Sequence, residues 1–156
     1  MKKLLSALLI LACVASMMTS CLPGIESYDN EQEFYTLANS TYILLDDVAQ
    51  DVYDYWRASI YDDEFNGDIN YAYSCALEDN EATVDKIYEN TEELEILFNK
   101  IKNGKLKSEV RAVMEAYNEY YFLVFESTCS FNEYSDQRNP LRQELSRALK
   151  NLSYEL

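Results

Sequence analysis

Apolar residues in this chain recur at steps of three and four, the spacing of one face of an α-helix. From Asn30 the inward positions are Ala38, Tyr42, Leu45, Val48 (or Ala49), Val52, Trp56 and Ile60. Asn30 with Glu33 forms a capping-box pattern at the start of this run. A long helix is predicted over about residues 30–61. The run Asp62-Asp63-Glu64-Phe65-Asn66-Gly67-Asp68 breaks the pattern. Asp68 is placed to cap a short helix that turns Ile69, Ala72, Tyr73, Ala76 and Leu77 to one side. Asn80 is placed to cap the next helix, whose seam is Val84, Ile87, Thr91, Leu94, Phe98 and Ile101. Asn103-Gly104 is expected to end it, glycine being favoured at the left-handed position after a helix.

A third long helix is predicted over about residues 106–128, with Leu106, Val110, Val113, Tyr117, Tyr120, Val124 and Ser127 inward. Residues 130–138 are polar and read as a link. Asn139-Pro140 then reads as a helix start, because proline suits the first helical position. Leu141, Leu145, Ala148 (or Leu149), Leu152 and Leu156 supply the last stripe. With no strand-like alternation, the fold class is all-α: an antiparallel bundle of about four main helices plus one short helix, over residues 30–156.

The first 21 residues have a different character. Lys2 and Lys3 precede an apolar run from Leu4 to Met18, which is 15 residues long. That matches a secretory leader and is short for a membrane span, which takes roughly 20 apolar residues. Met18-Thr19-Ser20-Cys21 follows, with small residues before a cysteine, and it resembles the lipobox of bacterial lipoproteins. That resemblance implies a diacylglycerol on the Cys21 sulfur and cleavage of residues 1–20; the alternative is simple cleavage and release with Cys21 a spectator. Pro23 and Gly24 mark a tether over 21–29. Leucine is commoner than Met18 at its position, and Cys13 would leave too short an apolar run to compete. The expected location is outside the cytosol, anchored by lipid to the bacterial cell membrane or outer membrane.

Charge narrows the function classes. Thirteen basic and 28 acidic side chains give a net charge of −15. This acidity argues against nucleic acid as a partner, since phosphate backbones are held by Lys and Arg. Histidine is absent, which removes His-based triads, HExxH zinc sites and Glu-x-x-His di-iron bundles. The number of acids alone is no evidence for a paired-carboxylate glycosidase, so no catalytic residue and no cofactor is assigned. The acids are uneven: residues 22–100 hold 20 of them against Arg57, Lys86 and Lys100, while residues 101–156 hold eight of each sign. In the last helix Arg138, Arg142, Arg147 and Lys150 outnumber Glu144. This positive helix is expected beside the acidic first helix, where Asp47, Asp51 and Asp54 share a face. An electronegative surface for cationic partners is the sharper alternative.

Three other features invite chemistry. Cys75 and Cys129 are the two cysteines left after Cys21, and an even pair in an exported protein favours a disulfide, with separate buried thiols or a reactive thiol as the alternatives. Residues 62–73 can be laid over an EF-hand loop, with Asp62, Glu64, Asn66 and Asp68 as candidate calcium ligands and Gly67 at the turn. Tyr73 stands where that motif needs a bidentate glutamate, so binding is expected to be weak. Fourteen tyrosines suit a thin bundle, with rings packed and hydroxyls at the rim. The alternative is a stacking face for sugar or peptide.

Trp56 with Ile60, Phe65-Asn66, Lys102-Asn103, and Ala116-Tyr117 with Tyr120 and Tyr121 occur in an order that resembles a group of uncharacterised helical lipoproteins and secreted proteins of bacteria. The likeness covers about residues 45–130. The group's Lys-Asn pair is followed by prolines, where this chain has Gly104-Lys105. The resemblance implies a helical bundle and a structural role for Phe65-Asn66, and it supplies no activity. The function expected on these grounds is a non-catalytic, membrane-anchored bundle that contacts another protein or an envelope component. The alternative is a ligand-binding or weakly calcium-binding module that uses the 62–70 loop or the tyrosine-rich face.

Overall fold

A computed structural model describes residues 25–62, 64–102, 104–126 and 128–156. The predicted leader, the start of the tether and Ser127 lie outside these residues. Five α-helices follow in order: α1 (Ile25–Tyr61), α2 (Ile69–Asp79), α3 (Glu81–Lys100), α4 (Gly104–Phe125) and α5 (Phe131–Glu155). A short 3₁₀ turn, Glu64–Gly67, joins α1 to α2. The predicted all-α bundle is therefore present, and the described residues contain no strand.

The hydrogen bonds between helices set the directions. Thr41 of α1 meets Asn90 of α3, and Asp51 meets Asn80. On another side of α1, Asp46 meets Arg142, Ala49 meets Tyr134, and Tyr53 stacks on Phe131. Numbers rise along α1 as they fall along its neighbours, so α1 is antiparallel to α3 and to α5. Asn80 divides α2 from α3, and the two form one broken arm. The chain runs up α1, down α2–α3, up α4 and down α5.

The predicted seams largely form the core. Ala38, Leu45, Val48, Ala49, Val52 and Trp56 are buried along α1, and Leu106, Val110, Val113, Tyr117, Tyr120 and Val124 along α4. Each fully buried Val or Leu among them stabilises by about 1.5–3 kcal/mol. Ile60, expected inward, is 42% exposed, and Ser59 is buried in its place. Ser59 continues the seven-residue line of Ala38, Leu45 and Val52, whereas Ile60 lies one residue, about 100°, off it.

Several boundaries and caps differ from expectation. Helix α1 starts at Ile25, so residues 25–29 of the expected tether are helical and Asn30 with Glu33 lies inside the helix, not at its start. Helix α5 starts at Phe131, eight residues before Asn139. Ser130 caps it, its Oγ accepting from the Glu133 N–H while the Glu133 carboxylate accepts from the Ser130 N–H at 2.8 Å. This capping box overrides the polar composition of residues 130–138, and Pro140 lies inside the helix. Helix α3 ends at Lys100, followed by Ile101 in an extended conformation (φ −71°, ψ 120°). Gly104 then opens α4, without the positive φ expected of a C′ glycine. Asn80 does occupy the N-cap position of α3, but its side chain makes no cap bond. Its amide donates instead to Asp51 Oδ2 and to the Ala76 carbonyl, both at 2.9 Å.

Candidate functional site

Tyrosine hydroxyls tie the helices together. Tyr73 of α2 donates to the Val124 and Phe125 carbonyls at 3.0 and 3.3 Å, satisfying groups left open by the last turn of α4. Thr91 and Tyr117 share a 2.6 Å bond between α3 and α4. Tyr134, fully buried, donates to the Ala49 carbonyl at 3.1 Å. Burial pushes Tyr73 and Tyr117 up to about 12, so both hydroxyls stay protonated. Trp56 packs against Tyr134 edge-on at 5.1 Å and against Tyr73 at 6.0 Å. The rings sit in the core, as expected for a thin bundle, and the hydroxyls do more than sit at the rim.

The densest polar cluster is the seam between α1, α4 and α5. Its centre is Asp46. Oδ1 accepts from the Tyr120 hydroxyl at 2.8 Å and lies 4.0 Å from the Arg138 guanidinium. Oδ2 lies 3.6 Å from Arg142. Arg138 is 8% exposed, donates to Gln50 Oε1 at 2.7 Å, and sits over the Tyr53 ring at 5.6 Å. Burial and then the hydrogen bond to Asp46 hold Tyr120 far above the ordinary tyrosine range. One carboxylate thus serves two guanidiniums, and the seam carries an excess positive charge. A carboxylate so engaged is an anchor between helices.

The positive last helix does lie beside α1, but the residue it meets is Asp46, in place of Asp47, Asp51 and Asp54. The reason is rotation. Asp46 and Asp51 are five residues apart, about 140° around the helix at 3.6 residues per turn. Asp51 therefore faces Asn80 on the α2–α3 side, Asp47 is exposed, and Asp54 accepts from Gln50 on the surface.

Outward from the seam, a groove of about 460 Å³ opens between α1 and α5. Tyr42, Arg142, Gln143, Ser146, Arg147 and Lys150 line it. The Tyr42 hydroxyl is raised by burial and by nearby Asp46, against the opposing effects of Arg142 and Ser146. On the other flank of α5 a groove of about 390 Å³ exposes Phe122 beside Leu123 and Leu141. Sequence reasoning singled out Arg138, Arg142, Arg147 and Lys150 but missed Asp46, Tyr42 and Ser146. The four-residue ladder 138–142–146–150 was the available signal.

The acidic loop is a left-handed turn. Phe65 (φ 53°, ψ 26°), Asn66 (φ 55°, ψ 24°) and Gly67 (φ 70°) are successive left-handed residues. Gly67 adopts this freely and Asn66 tolerates it, whereas for a bulky residue such as Phe65 it is an outlier. Phe65 is held by stacking on Tyr55 at 5.1 Å and by an edge contact with Tyr71 at 6.2 Å. Asp68 caps α2, its Oδ1 accepting from the N–H groups of Asn70 and Tyr71 at 2.9 and 3.1 Å. Among the described residues no three acidic or cysteine side chains are grouped to hold a metal.

The expected disulfide is corrected. Cys75 and Cys129 are not bonded and are not at disulfide distance. Tyr73 turns toward the end of α4, near which Cys129 lies. Cys75, two residues on, sits about 200° further round α2. It faces Tyr71 instead, whose hydroxyl it raises.

Comparison of the chain with protein-family models, with curated proteins and with solved structures found no match.

Proposed function

We propose that this protein is a lipid-anchored helical bundle held outside the cytosol, which binds a protein or envelope component and carries out no reaction of its own. The observation that carries the reading is the residue order Lys2-Lys3, an apolar run to Met18, then Thr19-Ser20-Cys21. Lysines, a 15-residue apolar run and a cysteine after two small residues are the parts an export-and-lipidation pathway recognises. Two or more acyl chains on Cys21 hold a protein to a bilayer far more firmly than one. Among the described residues no helix is long and apolar enough to cross a membrane, so the lipid would be the anchor for this body. The body's polar chemistry supports binding over turnover. The Asp46 carboxylate and the hydroxyls of Tyr73, Tyr120 and Tyr134 are spent on joining helices, while the α1–α5 groove stays open.

Cell fractionation with a Cys21→Ala variant tests the anchor. Wild type is expected in the membrane fraction and the variant outside it; equal distribution overturns the anchor. Crosslinking on intact cells tests the binding role, with a discrete adduct of the lipidated protein as the expected result.

A further inference from the structure

We propose that the groove between α1 and α5, walled by Tyr42, Arg142, Ser146, Arg147 and Lys150, binds a phosphate ester. The inference rests on the binding role above and is independent of the anchor. Its walls contain three cations and no carboxylate. In a chain with 28 acids and 13 bases that composition is the reverse of the whole. Residues 142, 146 and 150 rise by fours along one face of α5, so their side chains project together. Arg142 shares Asp46 with Arg138, which leaves the inner end of the groove positive. Among the described residues neither Arg147 nor Lys150 has a carboxylate within ion-pair distance, and Lys150 lies over the Tyr154 ring at 5.8 Å.

The helix dipole does not account for these cations. Its effect is confined to the last turn, and the last turn of α5 holds no basic residue. Arg147 also borders the neighbouring groove, where Glu115, Glu119 and Glu144 stand. Those glutamates lie on the far flank of α5 and leave the Tyr42 side cationic.

Charge selects the ligand. Arg147 and Lys150 together offer two positive charges, and a phosphate monoester carries about −1.5 to −2 at neutral pH, against −1 for a carboxylate. Guanidinium forks match phosphate oxygens in pairs, and the Ser146 and Tyr42 hydroxyls add donors. The groove also lies in the half of the bundle nearest the start of α1. Tyr42 is 17 residues from Ile25, or about 25 Å along the helix. A soluble phosphate ester and a lipid phosphate headgroup present the same chemistry there.

The test is titration calorimetry of the full chain, in uncharged detergent at fixed ionic strength, with glycerol 3-phosphate, inorganic phosphate and acetate. A parallel arm uses phosphatidylcholine vesicles with and without phosphatidic acid. The Arg147→Ala/Lys150→Ala variant changes two exposed side chains, and Lys86→Ala removes a cation elsewhere. Saturable phosphate binding at least tenfold tighter than acetate, weakened at least tenfold in the double variant and unchanged in Lys86→Ala, is the expected result. Binding confined to phosphatidic acid vesicles, with the same loss, also supports the site and assigns its source to lipid. Absence of binding in both arms, equal binding by the double variant, or acetate binding as tight as phosphate overturns it. The anchor is read separately, since the double variant keeps Cys21 and should fractionate as wild type does.

Discussion

Asp46→Asn is the sharpest perturbation of the seam. The change keeps the side chain's shape and an acceptor for Tyr120, and it removes one negative charge. Arg138 then holds its charge where its side chain is only 10% exposed, with its Nε buried and without a hydrogen-bond partner. Breaking a buried pair from one side costs about 3–5 kcal/mol. Two features of this pair reduce that figure. Asp46 is 25% exposed, and its separation from Arg138 is 4.0 Å. Arg142, at 39% exposure, loses a partner largely screened by solvent and adds little. The hydrogen bond from Tyr120 falls from the charge-assisted to the neutral class, a loss of about 1 kcal/mol. The sum is a destabilisation of about 2–4 kcal/mol. Urea unfolding followed by helical circular dichroism measures it directly, as a lower midpoint at unchanged slope. Adding Arg138→Met to Asp46→Asn should recover at least about 1 kcal/mol, because an apolar replacement removes the stranded charge. A loss below about 1 kcal/mol for Asp46→Asn, or no recovery in the double variant, would refute the assignment of Asp46 as the anchor of α5.

Other expectations follow from local contacts. Ser130→Ala should destabilise by about 0.5–2 kcal/mol through loss of the α5 cap, measured by thermal unfolding. The Glu133 carboxyl is held below its ordinary 4.5 by the Ser130 N–H and then the Ser130 hydroxyl. Its contribution is complete above that ordinary value and is lost as pH falls through the lower folded one, so Glu133→Gln should flatten the acid limb of the stability curve; an identical limb speaks against the capping box. In alkali the sign reverses. Tyr73 and Tyr117 are raised from 10.0 to about 12 by burial, so their contribution is complete below pH 10 and is lost as pH rises through about 12. Absorbance at the phenolate band should show these rings ionising late, together with loss of helix, and early ionisation without unfolding would contradict their burial. Alkylation of denatured protein without reductant should label both Cys75 and Cys129; labelling only after reduction would restore the disulfide.

The bundle was legible because helix seams are written locally. Steps of three and four placed Ala38, Leu45, Val48, Val52 and Trp56 of α1 and Leu106, Val110, Val113, Tyr117, Tyr120 and Val124 of α4, but not buried Phe34, Thr41, Met114, Ala116 and Leu123, which flank those lines; Asp68 announced α2 correctly. What failed depended on competition between signals or on rotation. Pro140 looked like a helix start, and the Ser130–Glu133 box, whose cap lies more than two turns upstream, took precedence over it. Gly104 looked like a C′ residue, yet a Cβ there would meet nothing within 4 Å and its φ is not positive, so the position makes no demand on glycine. The disulfide failed because spacing along a chain carries no information on where α2 points Cys75. The seam at Asp46 was hidden for the same reason. Asp46 and Asp47 are indistinguishable in composition, and only the packing of α5 decides which of them is half-buried. The positive character of the last helix was visible, but the groove it builds needed the approach of Tyr42 from the other end of the chain.

The account rests most directly on the state of Cys21. Intact-mass measurement of the protein isolated from its native membranes decides it. A chain beginning at Cys21 and heavier by a diacylglyceryl group, with or without a further acyl chain, is the predicted result. A chain that retains residues 1–20, or one that carries an unmodified Cys21, would contradict it.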